Sequence, residues 1–140
     1  MKDLILAKES LGGEVTLALA RGESLITKTG RGVSPLLELF DTGADLSQYS
    51  AADRVVGLGA AYLYIALRIK RVYALVISER AYKKLTESGV YVEYETLTEA
   101  IINRSGTGGC PIEECVMGAG SIDEAIHSIR ERIKELVRTT

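Results

Sequence analysis

The stretch "ADRVVGLGAAYLYIALRIK", residues 52–70, decides how the rest of the chain is arranged. From Val55 to Leu67, between Arg54 and Arg68, it carries no charge. That run is shorter than the roughly 20 apolar residues that span a bilayer. It predicts a central buried helix, apolar nearly all round and covered on several sides. Gly57, Gly59, Ala60 and Ala61 give this helix a smooth face, where a backbone, a sheet or a ligand can approach closely, at about 1 kcal/mol of helix propensity per glycine. "GLGAAY" is not a dinucleotide-binding fingerprint, because it lacks the third glycine and follows no clear strand.

Working outward, residues 2–11 read as a short helix stopped by Gly12 and Gly13. "EVTLALA" turns Val15, Leu17 and Leu19 inward, "RGE" turns the chain, and "SLITKT" returns as the second strand of a hairpin. In "TGRGVSPLLELFD" Ser34 reads as an N-cap and Pro35 as the first helical residue, with the helix ending near Thr42 and Gly43. "RVYALVIS" predicts a buried strand, "ERAYKKLTESG" a helix closed by Gly89, and "VYVEYET" a further strand. "TEAII" reads as a short helical segment. In "SIDEAIHSIRERIKELV" Ser121 and Glu124 form a capping box, and Ile122, Ile126, Ile129, Ile133 and Leu136 make one apolar stripe. Core docking of that stripe is the simpler reading, and pairing of two subunits the other.

The predicted order is helix, two hairpin strands, helices, strand, helix, strand, helices. It implies an α/β fold, a three-layer α/β/α sandwich with a mixed sheet in which an antiparallel hairpin is extended by parallel crossovers. With 140 residues, 46% of them hydrophobic, and no repeat or linker, residues 1–140 read as a single domain. Seventeen Lys and Arg against 19 Asp and Glu give a net charge of −2, so the total favours neither nucleic acid nor an acidic membrane. The N-terminus "MKDLILAKESLGGE" has no secretory pattern. A cytoplasmic protein is expected, with its two cysteines as free thiols.

The order of elements, with "GRGVSPLLELF", "ADRVVGLGAAYLYIA", "ALVIS" and "INRSGTGGCPIEEC", resembles a small prokaryotic family of unknown function with a cytidine-deaminase-like fold. The resemblance covers most of the chain and implies a fold and a candidate cleft, not an activity. Deaminases of that fold hold zinc with His-x-Glu at the start of one central helix and Pro-Cys-x-x-Cys at the start of the next. By order of elements these motifs fall at Gly57-Leu58-Gly59 and near Ser78-Glu79-Arg80-Ala81, which offer neither His nor Cys. The "CP" of this chain comes one helix and one strand later, with Cys-x4-Cys spacing. The family pattern V-V-G-K-A-A-A is "VVGLGAA" here, without the lysine.

The remaining candidates follow from residue chemistry. Cys110, Cys115 and His127 are the only soft metal ligands, too few for a structural zinc site of four N/S ligands. No metal and no cofactor is expected. Cys110, before Pro111, reads as the N-cap of a short helix that ends at Gly118. A thiol there feels the helix's positive end, so an enzyme using Cys110 as nucleophile or redox group, with Glu113 beside it, is one reading. A small buried cysteine opening a helix is the plainer one. His127, beside the isoleucine stripe, reads as a surface or interface residue. "NRSGTGG" and "KTGRGVSP" are glycine-rich turns before helix starts, the setting in which backbone N–H groups bind anions. In a deaminase-like arrangement Arg31, Gly32, Gly57, Gly59, Asn103, Arg104 and Thr107 are expected to face a shared cleft. The leading reading is a domain binding a small anionic or nucleotide-like molecule without zinc chemistry. The alternatives are the Cys110 enzyme and a structural homodimer without ligand.

Overall fold

The computed structural model describes residues 1–102, 106 and 108–138. The chain runs α1 (Lys2–Ser10), β1 (Leu17–Arg21), β2 (Ser24–Lys28), α2 (Ser34–Asp41), β3 (Ser50–Val56) and α3 (Leu58–Ala66). It continues with β4 (Arg71–Ser78), α4 (Glu79–Glu87), β5 (Tyr91–Thr98), α5 (Pro111–Cys115) and α6 (Ile122–Arg138). The five strands form one sheet in the order β2-β1-β3-β4-β5. β1 is antiparallel to both β2 and β3, while β3, β4 and β5 run parallel. This is the expected α/β architecture with a mixed sheet, and it holds one strand more than the predicted order.

The extra strand is β3, so the stretch that reads as one helix is a strand and a helix with Gly57 between them. In β3 only Arg54 and Val55 escape burial. A strand covered on both faces shows no polar alternation, and its period cannot be told from that of a buried helix. The alternation is broken a second time. Ala51 and Val56 of β3, like Val72, Ala74 and Ile77 of β4, belong to the core on the helix-rich side of the sheet. The ladder between the strands skips Arg54 and Leu75, so both strands slip in step. Val55 and Leu75 are left 46% and 45% exposed.

The sheet has a core on each side. On one, Leu4 and Ala7 of α1 meet Ala18, Ala20, Ala52 and Tyr73, small strand residues that let the helix lie close. Lys8 closes that side, with Nζ 3.3 Å from Glu93 Oε2 and 4.6 Å from the centre of the Tyr73 ring. On the other side α2, α3 and α4 contribute to the larger core, and α6 lies over α3 with Ala125, Ile126 and Ile129 buried. The isoleucine stripe of α6 therefore docks on the core of its own chain. Burying one such side chain is worth about 1.5–3 kcal/mol. Among the described residues no helix is long and apolar enough to cross a membrane.

Two local expectations differ. Val33, not Ser34, is the N-cap of α2, because Val33 O accepts the first helical bond, from Leu37 N–H at 2.9 Å, and Ser34 is the first helical residue. "TEAII" is not helical: Thr98 ends β5, and Ile102 forms an isolated antiparallel bridge with Gly109. The end of α3 is unusual. Arg68 has a φ of 62°, and Ile69 N–H donates to Tyr64 O at 3.2 Å. This is the left-handed turn that usually takes glycine at a helix end, and a side chain there costs roughly 1 kcal/mol.

Candidate functional site at the C-terminal edge of the sheet

Because β2 and β3 are both antiparallel to β1, the C-terminal ends of β2, β3, β4 and β5 share one edge of the sheet. Residues 29–33, Gly57, the start of α4 and residues 99–102 all leave from that edge. Open α/β sheets place ligands at this end of their strands.

The centre of the edge is a carboxylate. Glu113 is 2% exposed. Its Oε2 accepts the N–H of Leu58 at 2.9 Å and the hydroxyl of Ser78, and its Oε1 accepts the N–H of Ile101 at 3.0 Å. Ser78 in turn caps α4 by accepting the N–H of Ala81 at 3.1 Å. One side chain thus joins the first turns of α3 and α4 to the segment after β5. Helix starts leave N–H groups unpaired and carry partial positive charge, so a carboxylate satisfies both at once.

The residues around Glu113 are shaped to admit it. A Cβ on Gly57 would lie 3.3 Å from Glu113 Oε2 and 3.3 Å from Ile101 Cγ1. A Cβ on Gly59 would come within 2.7 Å of Ile112 Cγ2. The close approach that these glycines allow is therefore made by α5. Ile101 is held twice, since its carbonyl also accepts the N–H of Cys110 at 2.8 Å. With the Ile102–Gly109 bridge this ties the two ends of the 101–110 segment together.

Below the edge, Tyr64 of α3 donates its hydroxyl to Asp53 Oδ2 of β3 at 2.6 Å, both groups being buried. Burial pushes the Asp53 carboxyl up to about 7, against the pull of the Tyr64 bond and of the Val55 and Arg54 backbone. The Tyr64 phenol is raised by burial and by the carboxyl beside it.

Of the expected cleft residues, Arg31 and Gly32 are exposed in the loop before α2, Gly32 with a φ of 63°. Gly57 and Gly59 lie beneath Glu113 and Ile112. Asn103, Arg104 and Thr107 lie outside the described residues. Cys110 is the N-cap of α5, as its sequence position predicts, but its thiol makes no capping bond. Both cysteines are free and half-buried. Burial raises the Cys115 thiol, which donates to Ile112 O at 3.2 Å. Glu113 is turned to Leu58, Ser78 and Ile101, and no hydrogen bond joins it to Cys110 among the described residues. His127 is exposed. Among the described residues no three His, Cys, Asp or Glu side chains are grouped as a metal ion would need. The sequence offers Glu113 as a partner of Cys110 only in the alternative enzyme reading, and its link to the two helix starts has no signal near it in the chain. Serine at the end of a strand, before Glu79, was the available signal of a helix cap at Ser78.

A family model described as "TM1506: Domain of unknown function (DUF1893)" matches residues 5–133. The chain belongs to the DUF1893 family. Its fold is similar to that of the crystal structure of a DUF1893 family protein (TM1506) from Thermotoga maritima, at 24% sequence identity and a TM-score of 0.79. The match covers 96% of this DUF1893 chain and 87% of the other. No curated protein matches this DUF1893 chain.

Proposed function

We propose that this DUF1893 domain binds a small anionic, nucleotide-like molecule at the C-terminal edge of its sheet, on a cytidine-deaminase-like frame that works without deaminase zinc chemistry. The observation that carries the reading is the anchoring of residues 101–110. Glu113 ties Ile101 to the starts of α3 and α4, and Cys110 N–H closes the segment on Ile101 O. Between these ties lies "NRSGTG", with the donors Asn103, Arg104 and Thr107 and glycines that leave backbone N–H groups accessible. Arg31 and Gly32, from the loop after β2, supply the facing side. Gly57 and Gly59 serve as the floor on which α5 rests, and Glu113 is a positioning residue. At the two junctions that carry His and Cys ligands in zinc deaminases this chain has Leu58 and Ser78, both bonded to Glu113.

Calorimetric titration with nucleoside monophosphates and with inorganic phosphate tests the reading. Saturable binding is expected, weakened roughly ten-fold or more by Arg104→Ala, the loss that goes with one charge-assisted bond. Absence of binding for every probe, or equal binding by the Arg104→Ala protein, would contradict it.

A further inference from the structure

We propose that α5 is a redox-sensitive catch: a disulfide between Cys110 and Cys115 is incompatible with the helix that seats Glu113, so forming it withdraws Glu113 from Leu58, Ser78 and Ile101. The two cysteines of the chain stand at the two ends of this one helix, Cys110 as its N-cap and Cys115 as its last residue. Both are free and half-buried. Cys110 O accepts Glu114 N–H at 3.0 Å, which puts Cys110 on the path of the helix. Five steps along an α-helix are a rise of about 7.5 Å and a rotation of about 140°, or about 8.6 Å between Cα atoms. A disulfide tolerates about 4.4–6.8 Å. The helix therefore keeps the two thiols apart, and the bond forms only when the turn between them opens.

That same turn carries both contacts that seat α5: Glu113 with its three donors, and Ile112 against Gly59. A helix of five residues does not hold itself together in water, so these contacts are what keeps it formed. Val116 is fully buried, so the end at Cys115 stays in place and residues 110–114 are the part that moves. A small-molecule disulfide such as oxidised glutathione supplies the oxidant. The Cys110 thiolate attacks one of its sulfurs, and the first glutathione leaves as a thiolate. Cys115, whose proton is bonded to Ile112 O, is freed as the turn opens, and its thiolate displaces the second glutathione from Cys110. One S–S bond breaks and one forms, the two cysteines are oxidised as glutathione disulfide is reduced, and their two protons go to the glutathione thiolates. Because the bond and the seat of Glu113 exclude each other, each weakens the other by the same factor. The loosening of an anion site at this edge rests on the function proposed above, and the test uses no anion.

The test equilibrates the full chain with mixtures of reduced and oxidised glutathione and reads the products by mass and by amide NMR. Wild type should form the Cys110–Cys115 bond within one chain, seen as the loss of two hydrogens, and the Leu58 and Ile101 amide signals should move as it forms. Cys115→Ser under the same conditions should leave the Leu58 signal in place. Glu113→Gln and Ile112→Ala loosen the two contacts separately. Each should form the bond at least about ten-fold more readily, which is a potential more negative by about 30 mV. Mixed disulfides or cross-linked dimers alone, or the internal bond with Leu58 and Ile101 unmoved, would overturn the catch. So would a Leu58 shift that persists in Cys115→Ser, or an equilibrium constant unchanged in either of the other two variants.

Discussion

Glu113 Oε2 lies 2.9 Å from the amide nitrogen of Leu58, across a sequence separation of 55 residues. The same oxygen takes the hydroxyl of Ser78. A single carboxylate thus couples two helix starts that the chain builds far from it.

That coupling has an energetic signature. Removing a partner from a buried donor costs about 1–3 kcal/mol, and Glu113→Ala would strand three donors. A loss of about 3 kcal/mol or more is expected in urea unfolding. Ser78→Ala should cost about 2 kcal/mol, since it removes both a cap and the bond to Glu113. The two losses should not add. A double-mutant cycle is expected to give a coupling energy of about 1 kcal/mol or more, and strict additivity would mean that the two side chains act independently.

The contact between Gly59 and Ile112 predicts a reversal of sign. Gly59→Ala would gain about 1 kcal/mol of helix propensity, but its new Cβ would meet Ile112 Cγ2 at 2.7 Å. Overpacking of that kind costs about 1–3 kcal/mol, so the single variant should be destabilised in thermal unfolding. In an Ile112→Ala background the same change should stabilise. Stabilisation by Gly59→Ala in both backgrounds would show that α5 does not rest on that glycine.

Asp53 predicts a pH dependence. In the folded chain its carboxyl keeps its proton up to about pH 7, while the unfolded chain releases it near the ordinary aspartate value of 3.8. Between those values the native state binds more protons, so the contribution of this group is fully present below the unfolded value. It falls by about 1.4 kcal/mol per pH unit as pH rises and is flat once pH passes the folded value. Asp53→Asn should remove that slope from stability measured between about pH 5 and about pH 7. An identical slope in the variant would show that Asp53 is already ionised in the folded state.

How far the fold was legible depended on where polar residues break the pattern. The hairpin, β4, α4 and β5 are bounded by charged or glycine turns, and their spans agree with the sequence reading within a few residues. β3 was hidden for three reasons. It is buried on both faces, it slips its alternation at Arg54, and it runs into α3 through Gly57 alone. Asp53 added to the disguise, because a carboxyl inside a central strand is accommodated by the backbone of Arg54 and Val55 and by the Tyr64 hydroxyl, the last a contact that no local pattern signals.

The candidate site was legible in its parts and not in its assembly. Cys110 and Pro111 do open a helix, and Ser121 does cap α6, accepting Glu124 N–H at 3.1 Å. That helix α5 delivers Glu113 to Leu58 and Ser78 is a long-range arrangement that the length and composition of residues 99–110 do not specify.

The most direct measurement of the central claim is an amide NMR titration of the chain with inorganic phosphate, comparing wild type with Glu113→Gln. In wild type the Gly106 and Gly108 amides should shift saturably while Leu58 and Ile101 keep their positions, because Glu113 holds them. In Glu113→Gln the free chain should already show displaced Leu58 and Ile101 signals, with weaker phosphate binding at Gly106 and Gly108. If phosphate leaves Gly106 and Gly108 unmoved in wild type, or if Glu113→Gln binds phosphate as wild type does, Glu113 does not position an anion-binding segment.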